Sequence, residues 1–473
     1  MAPSALSIEI ACMQYACVEF TMDAAAVGRL TAYFEQIGQH LPRREQRESF
    51  ATYFYGLLSD GERKSVEPIA ARTSGDPQGT QRSHDRLLHF VGQSPWSDRA
   101  VRREAARHAI AAMERREPVT TWIIDDTGFL KQGTHSVGVQ RQYTGSAGKI
   151  ANCQIGVSLC VASRTEHLPI DFALYLPTSW LDSPARRAEA RIPANTTFKT
   201  KPELALELVV QAVEDGVPGE IVLADSAYGS SVAFRNGLVA YGLDFAVGIL
   251  GTTKVWVLDA RGNPRGDSIS ALDLGLKVGR KGFAHVLWRD GTRGPLYSKF
   301  CFRRVIVAHD DGTPVADRDP LWLVVEWPDD ESRPTKFTLT TLPRRMSKKQ
   351  IARTIKERWR TEIAYEEMKT ELGLDHYEGR SYPGWNITSP SFSVVTPTSL
   401  PRGCGVFPPR PPGSVPLVRT DARPERHFAD SFATARLAIA RVIAGWLPRC
   451  PLCLRASMVR TRCTRPVALA RAG

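Results

Sequence analysis

Two apolar stretches of this sequence end in aspartate: WIIDDTG, at Asp125 and Asp126, and IVLADSAYG, at Asp225. A later charged stretch, IKERWRTEIAYEEMKTELGLDHYEGR (residues 355–380), carries Arg358, Glu362, Tyr365, Glu366 and Lys369 at spacings of three and four. On a helix those residues share one broad face. Each feature alone has an ordinary reading. A strand-end aspartate commonly caps a turn, and a charged helix face is commonly solvated, with Arg358–Glu362 and Glu366–Lys369 as pairs along it. Taken together, Asp126, Asp225 and Glu362 offer three carboxylates from three separate elements, the oxygen-donor set that hard ions such as Mg²⁺ prefer. Two such ions, about 3.5–4 Å apart, activate an attacking oxygen and stabilise the leaving one in an in-line displacement at phosphorus. Protonated carboxylates cannot serve, so such a site is silent at low pH.

The elements that must position these groups read as follows. Residues 1–117 are helical in pattern, with apolar residues at helical spacing in MDAAAVGRLTAYFEQIGQHL and RREQRESFATYFYGLLSD. Their short helices, tight turns and clustered arginines suit either a helix-turn-helix-like DNA-binding unit or a plain helical bundle. From residue 118 to 250 the pattern is β-β-β-α-β-α-β, which makes a mixed sheet with helices on its faces. KPELALELVVQAVEDG is an amphipathic helix ending at a glycine. Residues 251–343 alternate apolar runs with Gly-Asn-Pro and Asp-Gly turns and are expected to form an all-β insertion. Residues 344–386 hold the charged helix, with Ser347 as its N-cap. Trp122, Trp322 and Trp359 read as packing aromatics; Lys131, Arg141 and Lys149 around a glycine-rich hairpin read as a solvated hairpin before a DNA-backbone contact, and the basic turn KVGRKG (277–282) is a secondary DNA candidate.

Residues 387–422 break the pattern. They hold Pro390, Pro397, Pro401, Pro408, Pro409, Pro411, Pro412 and Pro416 and no usable period, so neither a packed helix nor a central strand is expected. Helical periodicity returns across 423–473, in RPERHFADSFATARLAIARVIAGWLPRC. A segment translated out of frame between two compensating frameshifts accounts for this interruption.

Composition narrows the class of partner. Sixty-two Lys+Arg against 50 Asp+Glu give a net charge of +12, which favours a polyanion, nucleic acid before membrane. No apolar run is long enough for a transmembrane helix, and MAPSALSIEIACMQYACVEF lacks the basic start of a signal peptide. Nine scattered cysteines argue for reduced thiols. Cys450 and Cys453 have C-x-x-C spacing but no clear second pair, so inert thiols are favoured over structural zinc.

Read as blocks, IIDDTGFLKQG, LADSAYG and RWRTEIAYEEMK resemble, in order, the three catalytic blocks of insertion-sequence transposases of the DDE superfamily, which have an RNase H-like core. The third follows the signature R-x-x-x-E-x-x-x-x-x-x-K: Arg358 to Glu362 is four positions and Glu362 to Lys369 is seven. GERKSVEPIAAR and HFVGQSPWSD also look like family blocks, so the resemblance covers about 30–385 and resumes near 423. It implies an α/β fold: an RNase H-like mixed sheet flanked by helices, with the β-rich insertion before the glutamate and a helical N-terminal domain. It implies Asp126, Asp225 and Glu362 as the metal-binding and catalytic triad, with Asp126 preferred to Asp125 because the family's aspartate directly precedes Thr or Ser. It implies Arg358 and Lys369 as DNA contacts, with Tyr365 and Arg380 as further candidates from the residues themselves, whereas Ile355 stands where the longer signature has tyrosine. The implied reaction is Mg²⁺-dependent (Mn²⁺ as substitute) cleavage at terminal inverted repeats and strand transfer into double-stranded target DNA. A homodimer bridging two ends and a cytoplasmic, nucleoid-associated bacterial location follow from the same likeness. The alternatives are a DNA-binding remnant without cleavage, and a Mg²⁺-dependent nuclease without strand transfer.

Overall fold

The computed structural model describes residues 22–75, 79–291, 294–308, 314–399 and 432–447. They fall into two compact units, one drawn from 1–112, 367–379 and 387–473, the other from 113–366 and 380–386.

The first unit begins with α1 (Ala24–Gly38), α2 (Arg44–Leu58), α3 (Val66–Thr73) and α4 (Thr80–Gly92), followed by most of α5 (Asp98–Glu114). Asp23 caps α1 by accepting from the Ala26 amide at 2.7 Å, satisfying a donor that the first helical turn leaves without a partner. Apolar residues at helical spacing, among them Phe34, Phe50 and Phe54, bury their rings together, with Phe50 and Phe54 centroids 4.2 Å apart.

The second unit is built on β1 (Thr121–Leu130), β2 (Gln140–Thr144), β3 (Lys149–Ala162) and β4 (His167–Leu174). Then come α6 (Thr178–Leu181), α7 (Pro184–Ala190), α8 (Lys201–Glu214), β5 (Ile221–Ala224), α9 (Ser226–Gly229), α10 (Val232–Ala240) and β6 (Asp244–Ile249). Strand β1 pairs antiparallel with β3 and parallel with β5, β3 pairs with β4, and β5 runs parallel to β6. The order β4-β3-β1-β5-β6 is that of an RNase H-like mixed sheet. Its middle strands are near-continuous apolar runs because helices cover both faces. Thr200 caps α8 with a reciprocal capping box to Glu203, which fixes where that helix starts.

The segment expected to be all-β continues this sheet. It holds β7 (Lys254–Val257), β8 (Ile269–Ser270), α11 (Ala271–Val278), β9 (Ala284–Gly291), β10 (Gly294–Val307), β11 (Leu321–Trp327) and β12 (Lys336–Thr340). Among the described residues the sheet has twelve strands, because β12 pairs with β6 and β11 and β10 follow it. One helix, α11, interrupts the strands; Ser270 caps it through the Asp273 amide, and its Ala271 and Leu274 are buried.

The charged stretch expected as one helix is divided. Ser347 caps α12 (Lys348–Lys356) as the sequence suggests, the chain turns at Glu357 and Arg358, and α13 (Trp359–Leu372) follows. Gly373, at φ +74°, ends α13 in the left-handed conformation that glycine adopts without a Cβ penalty. Residues 367–379 belong to the helical unit, so the expected 344–386 segment is shared between the two units.

A larger difference follows. The structure carries α14 (Tyr382–Ser399) through residues where the prolines argued against a packed helix. Ile387, Phe392, Val394 and Val395 are buried, and Tyr33 donates to the Val394 carbonyl at 2.5 Å. Burying such side chains contributes about 1.5–3 kcal/mol each, enough to offset a cost of about 3 kcal/mol for each interior proline. Residues 400–422, Cys450 and Cys453 lie outside the described residues. Of 423–473, α15 (Phe432–Trp446) is described; its Arg436 pairs with Glu371 at 2.7 Å and Asp60 at 3.1 Å.

Candidate active site

Side chains on a strand alternate between its two faces, and β1 shows what this does to two consecutive aspartates. The parallel register sets Ile123 of β1 beside Leu223 of β5. Both pack in the core cluster that includes Ile351 and Ala352 of α12. Two residues further along β1, Asp125 stands on that face; Asp225 follows Ala224, the last residue of β5, close enough for its charge to act on Asp125. Across β3, Asp125 is in register with Ser158, and the Ser158 hydroxyl lies 2.6 Å from the Tyr365 phenol of α13. Helix α13 thus lies over the face that carries Asp125.

The guanidinium of Arg358 joins two acidic groups there. It donates through Nη1 to Asp125 Oδ2 at 2.7 Å and through Nη2 to Glu362 Oε1 at 3.3 Å. Glu362 is otherwise open, its side chain 62% exposed, while Asp125 is 13% exposed. Burial, opposed by Arg358 and reinforced by the nearby Asp225 and Asp126 charges, raises the Asp125 carboxyl to about 7. Asp225 is the N-cap of the short helix α9, accepting from the Ala227 amide at 2.9 Å. The chain ends β5 there because the carboxylate satisfies a helix donor.

Asp126 faces the other way. Its Oδ2 accepts from Lys201 Nζ of α8 and from the Tyr228 phenol, both at 3.1 Å. Desolvation, reinforced by Asp126, Tyr365, Asp125 and Asp225, suppresses ionisation of Tyr228. A comparable combination of burial and the Asp125 and Asp126 charges acts on Tyr365. The two phenols therefore stay neutral hydrogen-bonding groups within a cluster of carboxylates.

The remaining expected site residues fare unevenly. Tyr365, expected at DNA, is buried with its hydroxyl on Ser158; an aromatic at i+3 from Glu362 turns inward because α13 buries Thr361, Tyr365, Met368 and Leu372 along one side. Lys369 is half-buried, and desolvation, opposed by Asp375, lowers its pKa. Arg380 is exposed, and its carbonyl accepts from the Val137 amide at 3.1 Å. Arg141 and Lys149 are exposed on the β2–β3 hairpin. In the basic turn, Arg280 is spent on Asp329 at 3.2 Å. Sequence reasoning gave no role to Lys201, Tyr228 or Ser158. Tyr228 sits inside the quoted LADSAYG block, whereas Lys201 and Ser158 become visible only through helix placement and strand register.

Among the described residues no three His, Cys, Asp or Glu side chains are gathered tightly enough to hold a metal ion. The donor chemistry nevertheless fits a hard divalent cation: oxygen ligands only, and a guanidinium bridging two carboxylates at the point where positive charge is needed.

A family model described as DDE superfamily endonuclease matches residues 36–295. The match takes in Asp125, Asp126 and Asp225 and ends before α13. The chain is also 30% identical over 212 residues to a probable transposase for insertion sequence element IS701 from Microchaete diplosiphon. That alignment covers 45% of this chain and 51% of the relative, so the match spans about half the length of the relative.

Proposed function

Since the chain belongs to the family of DDE superfamily endonucleases, we propose that it is an insertion-sequence transposase. It binds the terminal inverted repeats of its element and catalyses Mg²⁺-dependent strand cleavage and strand transfer. The observation that carries this reading is the Arg358 guanidinium shared by Asp125 of β1 and Glu362 of α13, with the Asp225 charge close enough to act on Asp125.

A β1 aspartate, Asp225 and Glu362 would hold the divalent ions, whose chemistry is to activate the attacking oxygen and stabilise the leaving one. The chain's own groups set the geometry. The Tyr365–Ser158 contact fixes the rotation of α13 and hence the direction of Glu362. Arg358 would present its fork to a strand phosphate, the geometry for which guanidinium is suited. Arg380 supports the same backbone, and Lys369 assists from further along α13; phosphate contacts of this kind set register rather than sequence preference. Two ends brought together call for a homodimer. Among the described residues no helix is long and apolar enough to cross a membrane.

Duplex DNA carrying the element's ends, incubated with Mg²⁺, tests the proposal. Strand-transfer product is expected, and Asp225→Ala should lower it by about 10³-fold or more, the equivalent of several kcal/mol of lost transition-state stabilisation. Cleavage without joining would identify a nuclease. Binding without cleavage would identify a remnant, a reading favoured by the proline-rich sequence after Trp385.

A further inference from the structure

We infer that Asp125, rather than Asp126, is the β1 carboxylate of the metal site, and that Asp126 is a positioning residue for the opposite face. This assignment rests on the proposed function and sharpens it. Strand alternation allows only one of two consecutive residues to face α13. Three independent neighbours identify that residue as Asp125. Its register partner Ser158 contacts Tyr365 of α13. Its carboxylate shares the Arg358 guanidinium with Glu362. Asp225, just past the end of β5, is close enough for its charge to act on the Asp125 carboxyl. Asp126 instead spends one oxygen on Lys201 and Tyr228, which ties α8 and α9 to β1 and leaves Glu362 on the far side of the strand.

Because Arg358 donates to both Asp125 and Glu362, it would compete with a divalent ion for the same oxygens.

The test measures Mn²⁺ binding to the full chain by electron paramagnetic resonance, alongside cleavage of end DNA. Asp125→Asn, like Asp225→Ala and Glu362→Gln, should weaken Mn²⁺ binding by more than about tenfold, and Asp126→Asn should weaken it by less. Arg358→Ala should tighten Mn²⁺ binding in the absence of DNA, because the competing cation is gone. Should Asp125→Asn unfold the chain, Asp125→Cys and Asp126→Cys decide: a thiolate ligand shifts preference from Mg²⁺ toward the softer Cd²⁺, and that shift is expected at position 125 alone. The assignment is overturned if the shift, or the loss of Mn²⁺, follows Asp126 instead, with the transposase reading left standing. Mn²⁺ binding unaffected by Asp225→Ala and Glu362→Gln would overturn both.

Discussion

The Tyr365 phenol and the Ser158 hydroxyl meet at 2.6 Å in a buried position beneath α13. Removing one partner leaves the other desolvated without a hydrogen bond, at a cost of about 1–3 kcal/mol. Tyr365→Phe should therefore lower unfolding stability by that amount, and adding Ser158→Ala should recover part of it. Urea titrations of the single and double variants measure the coupling, and strict additivity would mean that the contact carries none. Lys64 gives a second residue-scale outcome. Burial first, then the Arg436 and Arg72 charges, with Asp60 and Glu371 opposing, lower its amine from 10.5 to about 7. Between those values the unfolded chain binds more protons than the folded one, so this group makes stability rise with pH across the window. The rise should flatten in Lys64→Met. Thermal unfolding from pH 7 to 10 reads the difference, and identical slopes in both proteins would remove Lys64 as its source.

At the scale of elements, α9 approaches β6 so closely that a Cβ on Gly229 would meet the Gly248 carbonyl oxygen at 2.0 Å. Both partners are backbone, so neither can turn aside. Gly229→Ala should push α9 off the sheet, misplace Asp225 and weaken Mn²⁺ binding without altering any carboxylate; unchanged binding would show that Asp225 does not depend on this packing. Helix α14 invites a different experiment, on the gene. If its serines use TCN codons, reading one base upstream places T in the middle of the codons overlapping Ser389, Ser391, Phe392, Ser393 and Ser399. A middle T specifies only Phe, Leu, Ile, Met or Val, the composition of an apolar core helix. The neighbouring frame is thus expected to encode a more regular continuation of α14. Serines encoded by AGY, or no such continuation across 387–422, would rule the frameshift out.

For the whole molecule, net charge and family combine into one measurable expectation. DNA binding should weaken linearly in log–log terms with salt, with a slope near −0.9 per phosphate neutralised on duplex DNA. Arg380→Ala should reduce that slope by about one while leaving sequence preference alone. Titrations at several salt concentrations check this, and an unchanged slope would exclude Arg380 from the backbone contacts.

Much of this architecture was legible in the chain itself. Apolar strand runs, the amphipathic helix from Lys201, the helix capped at Ser347 and the alternation of β and α segments are local properties, fixed by periodicity and hydrogen-bond satisfaction within a few residues. The sequence likewise supplied the acidic and basic groups of the site and their order. The family likeness preferred Asp126, from its place before Thr127, but which of the two aspartates faces α13 depends on the side of β1 that the helix covers. The sequence could not foresee that Tyr365 turns inward, that the insertion joins the core sheet through β12 and β6, or that α14 forms despite its prolines. Those outcomes rest on register and burial between residues far apart in sequence. Tertiary structure decided them, because there packing free energy outweighs local preference.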